Sequence, residues 1–104
     1  MNYKNYINGQ WADAKSGKNF PVENPFNQEI IAHVPDSDKN DIDKAVSAAK
    51  TAYKDWHIMS AGDRRDLMRE LATKSRENSK KLAKTISMEM GKPLPEALDE
   101  IDTI

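Results

Sequence analysis

The chain contains no cysteine. Within these 104 residues, this absence excludes disulfide bonds, thiolate metal sites and a cysteine nucleophile. Glycine is also scarce, and its four copies, Gly9, Gly17, Gly62 and Gly91, lie far apart in the sequence. The dinucleotide-binding fingerprint and the P-loop both require glycines a few residues from one another, so neither phosphate-binding motif is present.

Large aliphatic residues are few, and they form no long apolar run. Ile, Leu, Val and Phe together account for fewer than one residue in five. Because small domains bury the smallest fraction of their surface, we expect a thin hydrophobic core. No stretch approaches the roughly 18 apolar residues of a membrane-spanning helix, and the N-terminus lacks the apolar segment of a signal peptide. We therefore expect a soluble, cytoplasmic protein with no membrane partner.

The charge pattern does not indicate a nucleic-acid partner. The formal net charge is −1, although charged residues make up 32% of the chain. Basic residues in the second half alternate with acidic ones, and pairs such as Glu70 and Lys74 have the spacing of helical ion pairs. This pattern favours a solvated helix face over a nucleic-acid interface. The two histidines, His33 and His57, lack companions at metal-ligand spacing and are predicted to be surface residues.

Residues 1–35 are predicted to form two β-hairpins. Asn8-Gly9 is the strongest two-residue hairpin signal, because both residues tolerate a positive φ. Candidate strands at 20–23 and 29–34 are joined by a turn at 24–28 that contains proline. Within that turn, Asn27 is the residue that we expect in the left-handed conformation.

Apolar residues that recur every three or four positions predict four helices, at 38–57, 61–77, 79–90 and 95–104. Asp38 is the predicted N-cap of the first helix. Ser60 and Asp63 have the spacing of a capping box at the start of the second. A turn at 57–60 predicts that these two helices form an antiparallel pair. The apolar positions of the first helix are Ile42, Ala45, Val46, Ala49, Ala52, Tyr53 and Trp56.

Two further signals delimit the third helix. Asn78 and Ser79 offer a new N-cap inside an otherwise continuous helical pattern, so a break is predicted at Asn78. Gly91 can adopt the left-handed conformation that closes a helix, and Pro93 cannot continue one. The third helix is therefore predicted to end at Met90.

The length and the order of elements predict one small α+β domain, with hairpins first and amphipathic helices after them. Leu98, Ile101 and Ile104 carry an apolar stripe to the last residue, with no glycine, asparagine or basic last turn to close the helix. We therefore expect a fragment whose apolar helix faces are covered by the remainder of a longer chain. The alternative is a stand-alone helical interaction module from a truncated gene.

Six collinear segments carry a resemblance to a known family. They are Tyr6-Ile7-Asn8-Gly9-Gln10-Trp11, Ser16-Gly17-Lys18-Asn19-Phe20, Asn24-Pro25, Ile31-Ala32-His33-Val34-Pro35, Asp43-Lys44-Ala45-Val46 with Ala48-Ala49, and Glu89-Met90-Gly91-Lys92-Pro93-Leu94. In this order, the chain resembles the N-terminal part of the NAD(P)-dependent aldehyde dehydrogenase superfamily. The Glu-Met-Gly-Lys-Pro form is most similar to succinate-semialdehyde dehydrogenase-like members.

This resemblance implies that residues 1–104 are the N-terminal part of an α/β coenzyme-binding domain. The implied enzyme oxidises an aldehyde, with succinate semialdehyde as a candidate, to a carboxylic acid using NAD or NADP. Family members attack the aldehyde with a cysteine thiolate, and that residue and the principal coenzyme contacts lie beyond the segment that matches here. No catalytic or coenzyme-binding residue is therefore assigned, and the 104 residues alone are expected to be inactive. The implied partners are the remainder of the chain and further copies of the full-length enzyme.

One binding element is implied within the chain itself. Many family members hold a structural sodium or potassium ion with backbone carbonyls before the Asn-Pro turn and a carboxylate before the Gly-Lys-Pro segment. The matching positions are Val22, Glu23 and Glu89, and oxygen ligands suit such hard cations. Gln28 departs from the glycine that is usual in the turn after Asn-Pro.

Overall fold

The computed structural model describes residues 1–104 and divides into two compact units. The first unit comprises residues 1–22 and 30–59, and the second comprises 23–29 and 60–104. The expectation that residues 1–104 are part of one domain stays a prediction. Neither unit forms a large core, because no large side chain is fully buried. The buried apolar residues are Ala14 and Ala32 in the first unit, and Ala83, Ala97 and Ile101 in the second.

The first unit begins with the predicted hairpin. Strands β1 (Asn5–Ile7) and β2 (Gln10–Ala12) pair antiparallel, with Ile7 opposite Gln10. Asn8 has a φ of 53° and Gly9 a φ of 75°, which are the two positive values of a type I′ turn. Tyr6 and Trp11 face each other across the strands with ring centroids 4.8 Å apart. The prediction made from Asn8-Gly9 is thus confirmed.

Strands β3 (Asn19–Glu23) and β4 (Ile30–Pro35) form a second two-stranded sheet, each within one residue of its predicted bounds. The N-terminus adds a parallel bridge to β4. The His33 N–H donates to the Met1 carbonyl at 2.8 Å, and the Tyr3 N–H donates to the His33 carbonyl at 2.9 Å. These bonds fix the first three residues beside β4.

The turn between β3 and β4 differs from the prediction. Its left-handed residue is Gln28, with a φ of 62°, and not Asn27. The Asn27 side chain is used in another way, because its Oδ1 accepts the Glu29 N–H at 3.2 Å and its Nδ2 donates to the Glu29 carboxylate at 2.8 Å. The chain therefore reverses one residue later, where the Gln28 N–H donates to the Asn24 carbonyl at 2.8 Å.

Helix α1 (Lys39–Ile58) starts at a full capping box. Asp38 accepts backbone N–H groups at the helix start, and Asp41 returns a carboxylate oxygen to the Asp38 N–H at 3.0 Å. The side-chain and backbone hydrogen bonds from Asn40 lower the pKa of Asp38. The other Asp41 oxygen accepts the Lys15 N–H at 3.0 Å, so this buried carboxylate also ties the loop after β2 to the helix.

The apolar positions of α1 remain accessible, and the helix buries no apolar side chain. Ile42 is 59% exposed and Tyr53 is 63% exposed. His57 lies in the last turn of α1 and not in the predicted turn at 57–60, and its Nδ1 lies 2.9 Å from the Tyr53 carbonyl. The predicted antiparallel pairing of the first two helices joins the two units and stays a prediction.

The second unit contains helices α2 (Ala61–Glu77), α3 (Ser79–Met90) and α4 (Leu94–Asp102). Helix α4 packs against α3, where Ala83 and Ala97 are completely buried. Helix α4 begins one residue and ends two residues earlier than the predicted range 95–104. Thr103 caps its C-terminus, because the Thr103 hydroxyl donates to the Glu100 carbonyl at 2.7 Å. None of the four helices combines the length and apolar character that crossing a membrane requires.

Two helix caps predicted in the second unit differ in their hydrogen bonds from the prediction. The Ser60 hydroxyl accepts the Asp63 N–H at 3.0 Å, but it also donates to the Asp63 carboxylate at 2.6 Å. The carboxylate therefore bonds the hydroxyl and does not reach back to the Ser60 N–H. The Asn78 side chain does not cap α3, because its Nδ2 donates to the Lys74 carbonyl at the end of α2. Lys74 pairs with Glu77 at 3.9 Å and not with the predicted Glu70.

A substitution tests the unfavourable backbone at Gln28. Gln28→Gly should raise the free energy of unfolding by up to about 1 kcal/mol, because a left-handed φ costs a residue with a Cβ about 1–2 kcal/mol and glycine's greater freedom in the unfolded chain offsets part of that gain. Gln10→Gly is the matched control, since Gln10 lies in a strand without a positive φ. It should destabilise, and urea denaturation measures both. If both variants lowered the free energy of unfolding equally, Gln28 would not be strained by its left-handed φ.

Candidate functional site

The candidate site is the junction, within the second unit, between the turn at 24–28 and the segment Gly91–Pro93. Gly91 ends α3 with a φ of 75° and a ψ of 14°, and its N–H donates to the Ser87 carbonyl at 2.9 Å. A Cβ added to Gly91 would lie 3.2 Å from Cγ of Pro25. The position therefore requires glycine for two reasons, the left-handed backbone and the close approach of the Asn-Pro turn.

Lys92 connects this junction to α4. Its ammonium group forms an ion pair with the Glu100 carboxylate, and the Lys92 side chain is only 21% exposed. Pro93 precedes α4 as its N-cap residue, with a φ of −55° and a ψ of 137°, and Pro95 occupies the first helical turn. The two prolines and the ion pair together set where α4 begins and how it leaves the junction.

The three predicted ion ligands lie at the ends of regular elements. Val22 is half-buried in β3, Glu23 is the exposed last residue of that strand, and Glu89 is exposed in the last turn of α3. Val22 belongs to the first unit and both glutamates belong to the second. The sodium or potassium site therefore stays a prediction.

The electrostatic surroundings of Glu89 are unusual for a helix end. The last turn of α3 holds no basic residue, and none of the ion pairs in the chain includes Glu89. A helix C-terminus carries partial negative charge, so a carboxylate there is electrostatically unfavourable unless a cation neutralises it. The carboxylate is thus available to a cation.

The chain has no group of three or more His, Cys, Asp or Glu side chains that is arranged to hold a metal ion. His33 is half-buried in β4, and His57 stacks on Tyr53 with ring centroids 5.1 Å apart. The junction offers a shaped backbone, and the last turn of α3 adds the Glu89 carboxylate, which forms no ion pair.

Sequence reasoning missed three contributors to this architecture. The pair of Lys92 with Glu100 spans eight positions, which lies outside the helical spacings that predict ion pairs. The burial of Asp41 depends on the loop after β2, so no local pattern predicts it. The left-handed Gln28 did leave a signal, namely the departure from the glycine usual in the resembled family.

The comparisons with known proteins agree with the resemblance. A sequence model of the aldehyde dehydrogenase family matches residues 11–104. The chain is 39% identical over 100 residues to 3,6-anhydro-α-L-galactose dehydrogenase of Vibrio sp. strain EJY3, covering 96% of this chain and 21% of that protein. It is 41% identical over 98 residues to malonate-semialdehyde dehydrogenase of Halalkalibacterium halodurans, covering 94% of this chain and 20% of that protein. The chain thus spans about a fifth of the length of these relatives.

Solved structures give the same picture. A 3,6-anhydro-L-galactose dehydrogenase in complex with NAP superposes with a TM-score of 0.93 and 35% identity, over 98% of this chain and 21% of that one. A betaine aldehyde dehydrogenase of Staphylococcus aureus in complex with NAD⁺ superposes with a TM-score of 0.89 and 31% identity, over 95% and 20%. The predicted α+β fold, with short hairpins before four helices, is confirmed as matching the N-terminal part of such enzymes.

Gly91→Ala tests the junction. It should lower the free energy of unfolding of the second unit by at least about 1 kcal/mol, because alanine is strained at this φ and its Cβ would crowd Pro25. Gly62→Ala is the matched control, since a Cβ there meets only ordinary contacts inside α2. The control should be neutral or stabilising by up to about 1 kcal/mol. Equal effects in thermal denaturation would show that the junction is not under steric constraint.

Proposed function

Because the chain belongs to the aldehyde dehydrogenase family, we propose that it is the N-terminal segment of an NAD(P)-dependent aldehyde dehydrogenase and acts there as scaffold. In this role, its helices pack against the remainder of the enzyme, and the Gly91–Pro93 junction sets the course of α4. The chemistry belongs to the remainder, because this segment has no cysteine. The segment alone has no dehydrogenase activity.

The observation that carries the proposal is the exposure of apolar side chains on predicted core faces. On α2, Leu67, Met68 and Leu71 are 45%, 54% and 51% exposed, and α2 buries no residue at all. Complete burial of such a side chain contributes about 1.5–3 kcal/mol, so covering its exposed half would contribute about half of that, and the gain adds up over the helix face. A larger enzyme, of which this chain matches about a fifth, supplies the missing cover. The match across residues 11–104 favours this role over a stand-alone interaction module.

The proposed whole enzyme oxidises an aldehyde to a carboxylic acid and passes the hydride to NAD or NADP. The support is that similar proteins have structures in complex with NAD⁺ or NADP. The proposed substrate class is a semialdehyde, with succinate semialdehyde the specific candidate from the Glu89–Pro93 motif. Relatives named malonate-semialdehyde dehydrogenases support that class. We place the enzyme in the cytoplasm as a homo-oligomer.

The proposal includes a sodium or potassium ion held by the Val22 and Glu23 carbonyls and the Glu89 carboxylate. Its support is the unpaired charge of Glu89 at the negative end of α3, which a bound cation would offset. Carbonyl and carboxylate oxygens are also the ligands that hard cations prefer. The ion would stabilise the fold of the segment and take no part in hydride transfer.

A chimaera tests the scaffold role. These 104 residues would replace the matching segment of the Vibrio 3,6-anhydro-α-L-galactose dehydrogenase, and formation of reduced nicotinamide would be measured. We expect the chimaera to be active and the 104-residue chain alone to be inactive. Turnover by the isolated chain, or a well-folded chimaera without any activity, would contradict the proposal.

Two neighbouring charge substitutions in the chimaera make this test sharper. Leu71→Lys should destabilise the chimaera by at least about 2 kcal/mol, because it places a charge on a face that the remainder covers. Glu70→Lys is the control on the solvated side of the same helix and should change stability by no more than about 0.5 kcal/mol. If the two variants lose equal stability and activity, the remainder does not cover the apolar face of α2.

The ion is tested by thermal unfolding of the chimaera in sodium, potassium or choline chloride at one ionic strength. A metal ion present at its dissociation constant should add about 0.4 kcal/mol of stability, and more at higher concentration. Glu89→Gln should remove this gain, whereas Glu70→Gln on α2 should keep it. An identical midpoint in all three salts would refute the ion site and leave the scaffold role untouched.

A further inference from the structure

We propose that Asn8 is a site of spontaneous deamidation, in which the backbone nitrogen of Gly9 displaces the side-chain ammonia of Asn8. Asn8 is exposed at the tip of the hairpin between β1 and β2. An atom placed at the Cβ position of Gly9 would meet nothing within 4 Å. Gly9 therefore places no side chain beside the attacking nitrogen, and the space where its Cβ would lie is open.

The reaction needs no reagent other than water. The Gly9 nitrogen forms a bond to Cγ of Asn8, the bond from Cγ to Nδ2 breaks, and the departing amide group takes the Gly9 amide proton and leaves as ammonia. The product is a five-membered cyclic imide. Water then opens one of the two imide carbonyls, which gives either aspartate or an isoaspartyl link in which the backbone runs through the former side chain. Asparagine is among the residues that are thermolabile for this reason.

The conformation of the hairpin controls the rate. In the type I′ turn, both loop residues are held at a positive φ, which restricts how the Gly9 nitrogen can approach Cγ of Asn8. We therefore expect the imide to form mainly after the turn has opened. Opening is frequent here, because each strand has only three residues and a two-stranded hairpin is marginally stable in water. The cross-strand contact of Tyr6 with Trp11 opposes this opening. The contact is not buried, because the two side chains are 62% and 68% exposed.

The isoaspartyl product cannot keep the native hairpin, whereas the aspartate product can, because Asp-Gly also suits a type I′ turn. An isoaspartyl link adds a methylene to the backbone of a loop that joins Ile7 to Gln10 with only two residues, so the register between the strands is lost. Both products also add one negative charge at the tip. Because β1 also packs against α1, the isoaspartyl link releases one edge of the first unit.

The test follows the conversion of each asparagine amide to a carboxylate by peptide mapping with mass spectrometry. The 104-residue chain is incubated in neutral buffer, with and without urea. We expect Asn8 to convert severalfold faster than every other asparagine in both conditions, and more slowly in buffer than in urea. Asn24 is the internal control, because Pro25 has no N–H and cannot form this imide. Faster conversion of another asparagine, or an intact Asn8 in urea, would overturn the proposal.

Three variants separate the chemistry from the opening. Gly9→Ala should slow conversion of Asn8 severalfold in urea, where the hairpin is open in both chains and only the access of the nitrogen differs. Tyr6→Ser should speed conversion in buffer towards the urea rate, because it removes the cross-strand ring. Tyr3→Ser is the matched control outside the hairpin and should change neither rate. Equal rates for Gly9→Ala and the parent chain in urea, or equal effects of both tyrosine variants in buffer, would refute the mechanism.

Discussion

Apolar helix faces without a cover are the constraint on which the rest of this structure depends. Neither unit fully buries a large side chain, and the residues with no accessible surface are two alanines at the contact of α3 with α4. A folded state normally draws most of its stability from buried apolar area. A chain that exposes Leu71 or Val46 by about half lacks much of that contribution. These exposed faces give the proposed membership of a larger enzyme a physical argument beside the sequence match.

Local hydrogen bonds explain why the elements are nevertheless well defined. Asp38 and Asp41 satisfy the free N–H groups at the start of α1, and the Ser60 hydroxyl caps α2. Gly91 closes α3 by adopting a conformation that few other residues tolerate. These devices act within a few residues of the chain. They define these helix ends without help from a core, so secondary structure is specified here more strongly than packing.

The same distinction explains which features could be predicted. The hairpin at Asn8-Gly9 and the end of α3 followed from the sequence, because turn and cap chemistry is local. Gln28 could not be assigned, since the left-handed position depended on how the Asn27 side chain was used. Asp41 and the Lys92 to Glu100 pair depend on segments that meet only after folding. The sodium or potassium site stays a prediction, because its residues follow from the resemblance alone.

The junction at Gly91 suggests how such a segment influences an enzyme whose chemistry lies elsewhere. Pro25 fits against a position without a side chain, and Lys92 then binds Glu100, so the turn after β3 and the start of α4 are fixed by one short stretch. These contacts position backbone and touch no reacting group. In the proposed enzyme, a substitution here would therefore reduce the amount of correctly folded protein and leave the Michaelis constant of the surviving molecules unchanged. A true catalytic residue behaves differently, because its loss lowers the rate of enzyme that is fully folded.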